Sequence, residues 1–376
     1  MTKFAKISLV AAVAVAGLTT ANAQPLEEAI KGVDVSGMMR YRFDSTDAGT
    51  SKSSVNAYRL DVKTSAKVND MVKANVTTGI TGDTGNSVEL GTESSDDPAT
   101  VSVRDANFAI ALPGATVIAG KQSVPGPFVD NTVDDVTRGN GVVALVPVAG
   151  WTLAAGAFNN TNIEVYTKDD DKAPLVDIGG VDAAEFAVIG NVGGVAVDLW
   201  YLNASVSALN EVTGFSAHAN GNIGSVNVDA RFSQLDHGFA DKDEASLMKV
   251  IASTQINDFT VAAGYINTGK NNSKSNFVSF DNDAATDARV WQASAGKLDD
   301  ADAYLVSVGT AVAGVNLKAT YLDVSFGAAD TGADEKLLDV GYNLSKNFAL
   351  ASKYSVYSVD GAADSTKTRI EAKYTF

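Results

Sequence analysis

Residues 33–43 read VDVSGMMRYRF, and the side chains in this stretch alternate with a period of two. Odd-numbered positions are mostly apolar, whereas the even-numbered ones include Asp34, Arg40 and Arg42. A period of two is typical of a β-strand with one face in a nonpolar environment and the other in water. The stretch therefore predicts a strand whose two faces meet different surroundings.

The same alternation returns along the chain, at residues 58–65, 72–78, 226–233 and 369–376. Short turns and long polar loops separate such segments in strict alternation. The short turns are predicted at residues 67–70, 113–114, 148–150, 192–194, 223–224, 257–258, 312–314 and 345–347. The long loops are predicted at roughly residues 44–55, 83–100, 123–140, 160–182, 204–211, 236–244, 268–302, 326–334 and 358–365.

Nine long loops and eight short turns join eighteen strands and place both termini on the side of the short turns. Outer-membrane barrels have short periplasmic turns and longer outer loops. The sequence therefore predicts an all-β fold, a transmembrane antiparallel barrel of about 18 strands within the range 16–18. The lumen of a barrel of this size is expected to be open apart from a loop that folds inward.

The charges of the first strands indicate which face lines the lumen. Turning the first strand over would place Arg40 and Arg42 against hydrocarbon, at a cost of about 2–4 kcal/mol each near the bilayer midplane. Arg59 and Lys63 are expected beside them on the second strand, and Lys121, at the end of the fifth strand, is counted with them although its position allows it to join either side of the pore. These five residues are the predicted basic wall of the pore.

The third long loop carries the opposite charge. Residues 123–140 read SVPGPFVDNTVDDVTRGN, and their prolines prevent ordinary strand pairing. We expect this loop to fold into the lumen, where Asp130, Asp134 and Asp135 form the acidic side of a constriction. Opposite charges across a pore set its selectivity. With acidic outer loops that concentrate cations at the mouth, this predicts a cation-selective channel.

Length and composition agree with an exported membrane protein. Residues 1–23 combine Lys3 and Lys6 with an apolar run and a final Ala-Asn-Ala, which predicts a cleaved signal peptide before one barrel domain at 24–376. The chain has 376 residues, a net charge of −16 and no cysteine, which argues against nucleic acid partners and excludes disulfides and thiol chemistry. No apolar run is long enough for a membrane-spanning helix.

Aromatic residues mark the two expected membrane interfaces. Trp151, Phe259 and Phe348 directly follow short turns. The residues that border long loops are Tyr41, Phe43, Tyr58, Phe158 and Tyr265. The last strand ends in Tyr374-Thr375-Phe376, which resembles the signal by which bacterial barrel-assembly machinery recognises its clients.

An enzyme and an adhesin are the competing interpretations. A barrel hydrolase needs a histidine. His218 has Asn220 two residues on, where a barrel phospholipase would have a serine on the same face. His237 directly follows Asp236, so in a strand the two side chains would point to opposite faces. The sequence thus predicts no catalytic site. An adhesin or structural surface protein remains the alternative, because long outer loops carry contacts in either case.

Four segments resemble the major outer-membrane porin of campylobacteria. They are PLEEAIKGVDVSGMMRYRFD at 25–44, VIAGKQ at 117–122, DN at 130–131 and WTLAA at 151–155. The resemblance implies a homotrimeric, cation-preferring general porin in the bacterial outer membrane, surrounded by lipid and passing ions and small hydrophilic solutes. By position, Lys121 and Gln122 lead into the third loop, and Asn131 lies within it.

The resemblance also bears on cofactors. None is expected, except that the family implies a bound calcium ion. Residues 281–287 read DNDAATD and lack the glycine and terminal glutamate of an EF-hand loop.

Overall fold

A computed structural model describes residues 32–49, 51–81, 88–91, 99–132, 136–166, 174–177, 182–205, 211–236, 244–270, 279–280, 283–327 and 331–376. The predicted signal peptide at 1–23 lies outside these ranges. The described elements are β1 (Val33–Asp47), β2 (Lys52–Lys67), β3 (Val72–Thr81), β4 (Val88–Gly91), β5 (Thr100–Leu112), β6 (Ala115–Ser123), β7 (Arg138–Val148), β8 (Trp151–Thr161), β9 (Glu164–Tyr166), β10 (Pro174–Asp177), β11 (Asp182–Val192), β12 (Val195–Ser205), β13 (Glu211–Ile223), β14 (Val226–Asp236), β15 (Ala245–Ile256), β16 (Phe259–Thr268), a 3₁₀ helix (Ala295–Lys297), β17 (Ala301–Val312), β18 (Val315–Phe326), β19 (Thr331–Asn343), β20 (Phe348–Val359) and β21 (Ser365–Thr375).

Eighteen of these strands form a closed antiparallel barrel, which confirms the predicted fold. The seam joins β1 to β21, from Met38 opposite Thr375 to Asp47 opposite Thr366. Three strands lie outside this count: β4 pairs with β2 beyond the end of β3, while β9 and β10 pair with each other. Closure satisfies the backbone hydrogen bonds that an open sheet edge would leave unpaired in lipid.

The two faces of the barrel differ as the alternation predicted. In β1, Met39 is 54% exposed and Tyr41 is 45% exposed, whereas Arg40 between them is only 5% exposed. Arg40 on β1 is the cross-strand partner of Arg59 on β2. Cross-strand partners lie on the same side of a sheet, so both arginines point to the same face. The polar set therefore faces inward and the apolar set outward. Among the described residues, no helix is long and apolar enough to cross a membrane.

Tight turns join the strands at one end of the barrel. Between β11 and β12, Gly193 and Gly194 have φ angles of 60° and 91°. Two residues in the left-handed region form the turn whose twist matches antiparallel strands, and glycine adopts it without a steric penalty. All eight predicted short turns are found at their expected places, to within a few residues.

An apolar cluster fills part of the lumen near the long loops. Its wall residues come from β7 to β18 and include Leu202, Leu235 and Leu322, which are all buried. Phe158 belongs to this cluster at 3% exposure, so its predicted place in an aromatic belt is wrong. The expectation of a lumen that is open apart from one loop is also corrected, because two loops pack against this cluster.

Candidate functional site

Two loops enter the barrel and meet inside it. The first inner loop is residues 124–137 between β6 and β7, and the second inner loop is residues 279–298 between β16 and β17; residues 133–135 and 281–282 are not described. The N–H of Phe280 donates to the Phe128 carbonyl at 2.8 Å, and the Thr286 hydroxyl donates to the Pro127 carbonyl at 3.1 Å. The third long loop therefore folds inward as predicted, and a second loop crosses the lumen beside it.

The first inner loop is held by apolar packing. Val124, Phe128 and Val129 are each at most 2% exposed. Gly214 on β13 leaves the space for the Phe128 ring, since a Cβ placed there would lie 2.9 Å from the Phe128 Cζ atom. The sequence predicted the insertion of this loop from its prolines, whereas the structure shows that buried apolar side chains anchor it.

Asp130 has a structural position within the first inner loop. It is 1% exposed, its Oδ1 accepts from the Thr132 N–H at 2.5 Å, and its carbonyl accepts from the Thr137 N–H at 2.9 Å. A carboxylate enclosed in this way cannot face the aqueous passage, which corrects the expectation for this residue. The other predicted acids, Asp134 and Asp135, lie outside the described residues.

The second inner loop is held by a buried carboxylate. Glu335 on β19 is fully buried and accepts from the backbone N–H groups of Trp291 at 3.1 Å, Gln292 at 3.0 Å and Ala293 at 2.9 Å. The Ser355 hydroxyl on β20 donates to the same carboxylate at 2.7 Å. Hydrogen bonds to a charged acceptor are stronger than neutral ones. One glutamate thus ties the tip of this loop to the barrel wall.

The base of the second inner loop closes on itself. Asp287 accepts a hydrogen bond from the Ser294 hydroxyl, and its carbonyl accepts from the Gly296 N–H at 2.9 Å. Burial raises the pKa of the Asp287 carboxyl, while the Ser294 hydroxyl acts in the opposite direction. Gly296 is required for this close approach, since a Cβ there would lie 2.5 Å from two carbonyl oxygens.

A cavity of about 790 Å³ lies between the inner loops and the barrel wall. Its cationic lining residues are Arg40, Arg42, Lys249, Arg289, Lys353, Lys367 and Arg369. Its acidic lining residues are Asp44 and Asp283. Among the described residues that line it, positive charges therefore outnumber negative ones. We call this space the central cavity.

Carboxylates and an aromatic ring hold several of these cations in place. Arg42 pairs with Glu371 at 2.7 Å, and Arg369 makes two contacts to Asp44, at 2.6 and 2.8 Å. The Trp291 ring lies 5.6 Å from the Arg369 guanidinium carbon, within the range of a cation–π contact. These contacts fix the cationic side chains of β1 and β21 against their neighbours in the wall.

The predicted basic residues separate into three groups. Arg40 and Arg42 line the central cavity. Arg59 is 2% exposed, pairs with Asp61 at 2.9 Å and is not among the residues that line the central cavity. Lys63 lies on the same face of β2 as Arg59, four residues nearer to the short turn, and does not line the cavity either. Lys121 pairs with Ala106, next to the outward-facing Phe108, so it lies on the outer face, and its predicted place in the pore wall is wrong.

Sequence reasoning missed most of the cavity lining. In β21, Lys367 and Arg369 share a strand face with Glu371 and alternate with Thr368 and Ile370, so the period of two could have placed them inward. Lys353 lies between Ser352 and Tyr354 in β20, where the alternation is weaker. Lys249 follows Leu247-Met248 in a segment without clear alternation, and the sequence holds no signal for it. The sequence also does not indicate that Glu335 binds the second inner loop.

The first histidine belongs to a charge network in the barrel wall. His218 Nδ1 lies 2.6 Å from Asp198 and Nε2 lies 2.8 Å from Asp229, on the neighbouring strands β12 and β14. Both ring nitrogens are occupied by carboxylates, which suits a structural ion pair. His237 lies outside the described residues. Within the described part of the chain, no group of three or more metal-ligating side chains could hold a metal ion.

A closed antiparallel barrel with an apolar outer face and a charged cavity inside has the architecture of an outer-membrane porin and points to a channel. The chain belongs to the Campylobacter major outer membrane protein family, whose family model matches residues 2–374. This confirms the resemblance found in the sequence and places the protein in the outer membrane. No curated protein matches the chain.

Solved structures with the same fold include three channels from Pseudomonas aeruginosa. OccK5 (OpdH) is 10% identical with a TM-score of 0.74, over 92% of this chain and 98% of its own. OpdQ is 12% identical with a TM-score of 0.73, over 92% and 99%. OpdK, solved with vanillate, is 13% identical with a TM-score of 0.72, over 92% and 98%. At such identities the likeness concerns the fold.

Proposed function

We propose that this porin is a general diffusion channel for ions and small hydrophilic solutes. The observation that carries the proposal is the central cavity, a charged space of about 790 Å³ inside a closed barrel. Sites that enclose small organic molecules have volumes of about 300–1,000 Å³. The cavity is therefore matched to single small solutes rather than to folded chains.

The two inner loops support a sieving role. Both cross the lumen at the level of the central cavity, where Thr132 of the first and Ala284 of the second are among the lining residues. A solute that passes must move between these loops and the basic wall. The loops thereby limit the size of the solute, and the wall sets its electrostatic environment.

The preference for cations in salt solutions is part of the proposal. It rests on the net charge of −16 and on the acidic outer loops, which raise the local concentration of cations at the mouth. The sequence expectation that Asp134 and Asp135 contribute to the constriction adds to this proposal. The basic wall acts in the opposite direction, so the preference is expected to be modest.

Four further properties are proposed from the sequence and the family. They are export with cleavage after residue 23, insertion by barrel-assembly machinery through the aromatic end of β21, assembly as a homotrimer, and a bound calcium ion. Sequencing the N-terminus of the mature protein tests the cleavage, and deletion of Phe376 tests the insertion signal. Native mass measurement tests the trimer, and metal analysis tests the calcium ion.

Planar bilayer recording tests the proposed function. Purified protein is expected to give stepwise conductance, and a salt gradient is expected to give a reversal potential that favours cations. A bilayer that stays silent would contradict the channel and favour the adhesin interpretation. Steps with an anion-favouring potential would overturn the cation preference and leave the channel intact.

A further inference from the structure

Three cationic side chains surround one aromatic ring in the central cavity. The ring belongs to Trp291 of the second inner loop, which is 7% exposed. Its centroid lies 5.9 Å from the Lys353 ammonium nitrogen and 5.1 Å from that of Lys367. The Arg369 guanidinium carbon lies 5.6 Å from the same centroid. All three distances are within the limit of about 6 Å for a cation–π contact, so one ring attracts three cations at once.

The strand register brings these three cations together. Lys353 on β20 is the cross-strand partner of Arg369 on β21. Lys367 precedes Arg369 by two residues and therefore lies on the same face of β21. The barrel wall thus supplies the cations as one group, and the second inner loop supplies the ring that contacts all of them.

Carboxylates of the wall attract the same cations. Lys353 contacts Asp339 at 3.4 Å, and Arg369 contacts Asp44 at 2.6 and 2.8 Å. Asp44 also attracts Lys367 electrostatically. These acids balance part of the positive charge. The ring adds a further attraction from the loop and brings no charge of its own.

The backbone at Trp291 is held independently of the ring. The N–H groups of Trp291, Gln292 and Ala293 donate to the Glu335 carboxylate. The Gln292 side chain also donates to the Ser355 hydroxyl at 2.8 Å. A substitution of the Trp291 side chain leaves all of these hydrogen bonds available. The contribution of the ring is therefore testable while the loop stays in place.

We infer that Trp291 is a positioning residue for ion selectivity, whose ring keeps Lys353, Lys367 and Arg369 against the barrel wall and so limits their contact with passing anions. The inference rests on the proposed channel function and deepens it. A lysine ammonium is carried on a flexible four-carbon stem. Without the ring, the two lysines would extend into the passage and attract anions. Trp291 thereby helps a channel with a basic wall to keep a modest cation preference.

The experiment measures the reversal potential in a potassium chloride gradient. Trp291→Leu and Trp291→Phe both leave more space than tryptophan, but only phenylalanine keeps an aromatic face. We expect Trp291→Leu to lower the permeability ratio of potassium to chloride by about two- to fivefold, the factor that corresponds to one exposed cation–π contact. Trp291→Phe should stay closer to the wild type. An unchanged potential in Trp291→Leu, or equal shifts in both variants, would overturn the inference.

A second variant tests the coupling between the ring and its nearest cation. In a Lys367→Gln background, the shift caused by Trp291→Leu should be smaller than in the wild type, because two residues in contact do not act additively. Equal shifts in both backgrounds would contradict the inference. The control is Trp151→Leu, because Trp151 shares a face of β8 with the outward-facing Leu153, does not line the cavity and should leave the potential unchanged.

The outcomes separate this inference from the proposed function. Brief openings of Trp291→Leu at the wild-type reversal potential would assign the ring to loop anchoring alone and overturn the inference, with the channel left standing. The absence of conductance steps in the wild type would contradict the channel itself. Trp291→Met also lacks an aromatic face and replaces Trp291→Leu if that variant gives no steps.

Discussion

The first inner loop buries Val124, Phe128 and Val129 against apolar wall residues, whereas the second inner loop donates three backbone N–H groups to the carboxylate of Glu335. Apolar packing is spread over many contacts and has little directional preference. Hydrogen bonds to one carboxylate depend on a single side chain and on its geometry.

This difference shows how a water-filled barrel can hold two loops inside. The first inner loop lies where the wall itself is apolar, from β7 to β18, and it adds to a cluster that excludes water. The second inner loop crosses to β19 and β20, where the neighbouring wall is charged. There a buried acid supplies the acceptor that unpaired N–H groups require.

The largest expected effect is on the apolar anchor. Replacing Phe128 by Ala should weaken docking of the first inner loop by about 3–5 kcal/mol, the usual cost of removing a buried phenylalanine. We expect a larger and noisier single-channel conductance. Phe186→Ala is the control, because Phe186 is 54% exposed on the outer face. Equal conductance in Phe128→Ala and wild type would show that the loop does not limit the passage.

The polar anchor is tested by Glu335→Gln, which replaces an acceptor oxygen by an NH₂ group facing several N–H donors. An unsatisfied buried donor costs about 1–3 kcal/mol, so the second inner loop should dissociate from the wall more often. Brief openings to a higher conductance are expected in bilayer recordings. Glu185→Gln is the control, because Glu185 is likewise a buried acid, on β11, that lies beside Gly126 of the first inner loop instead of the second. The same openings in both variants would contradict the specific role of Glu335.

A smaller effect is expected for the acid inside the first inner loop. Asp130→Asn keeps an oxygen that can accept from the Thr132 N–H, and the carboxylate is 1% exposed. The reversal potential in a salt gradient should therefore be unchanged, with a stability change of about 1 kcal/mol. Asp134→Asn provides the contrast, since the sequence predicts a weaker cation preference there. A shift in Asp130→Asn as large as in Asp134→Asn would place both carboxylates in the passage.

The smallest effect is expected for Lys121→Gln. Lys121 lies on the outer face of β6, and substitutions at such surface positions usually change stability by within about 0.5 kcal/mol. Conductance and reversal potential should match the wild type, whereas Arg42→Gln, which removes a cation from the cavity lining, should move the reversal potential towards cations. A changed potential in Lys121→Gln would contradict the register of β6.

Much of the site could be inferred from local pattern, and the failures have definite causes. Arg40 and Arg42 line the central cavity, and local pattern indicates this inward face because an arginine is costly in lipid on the other face. Lys121 lies on the outer face because the β5–β6 register runs without a shift from Ala106 opposite Lys121 to Phe108 opposite Ala119, and the residues around Lys121 do not by themselves indicate this pairing. The sequence does not indicate which carboxylates of a loop turn towards backbone N–H groups, and for this reason it predicts Asp130 in the passage although the structure buries it.

Alternation and turn spacing suffice to specify the strand number, the membrane-facing side and the order of loops, because each follows from neighbours along the chain. Folding decides the rest. The contact between Glu335 and residues 291–293, and the approach of Lys249 and Lys367 to one cavity, join positions that are far apart along the chain. Such contacts arise only when the barrel closes and its loops compete for the same interior.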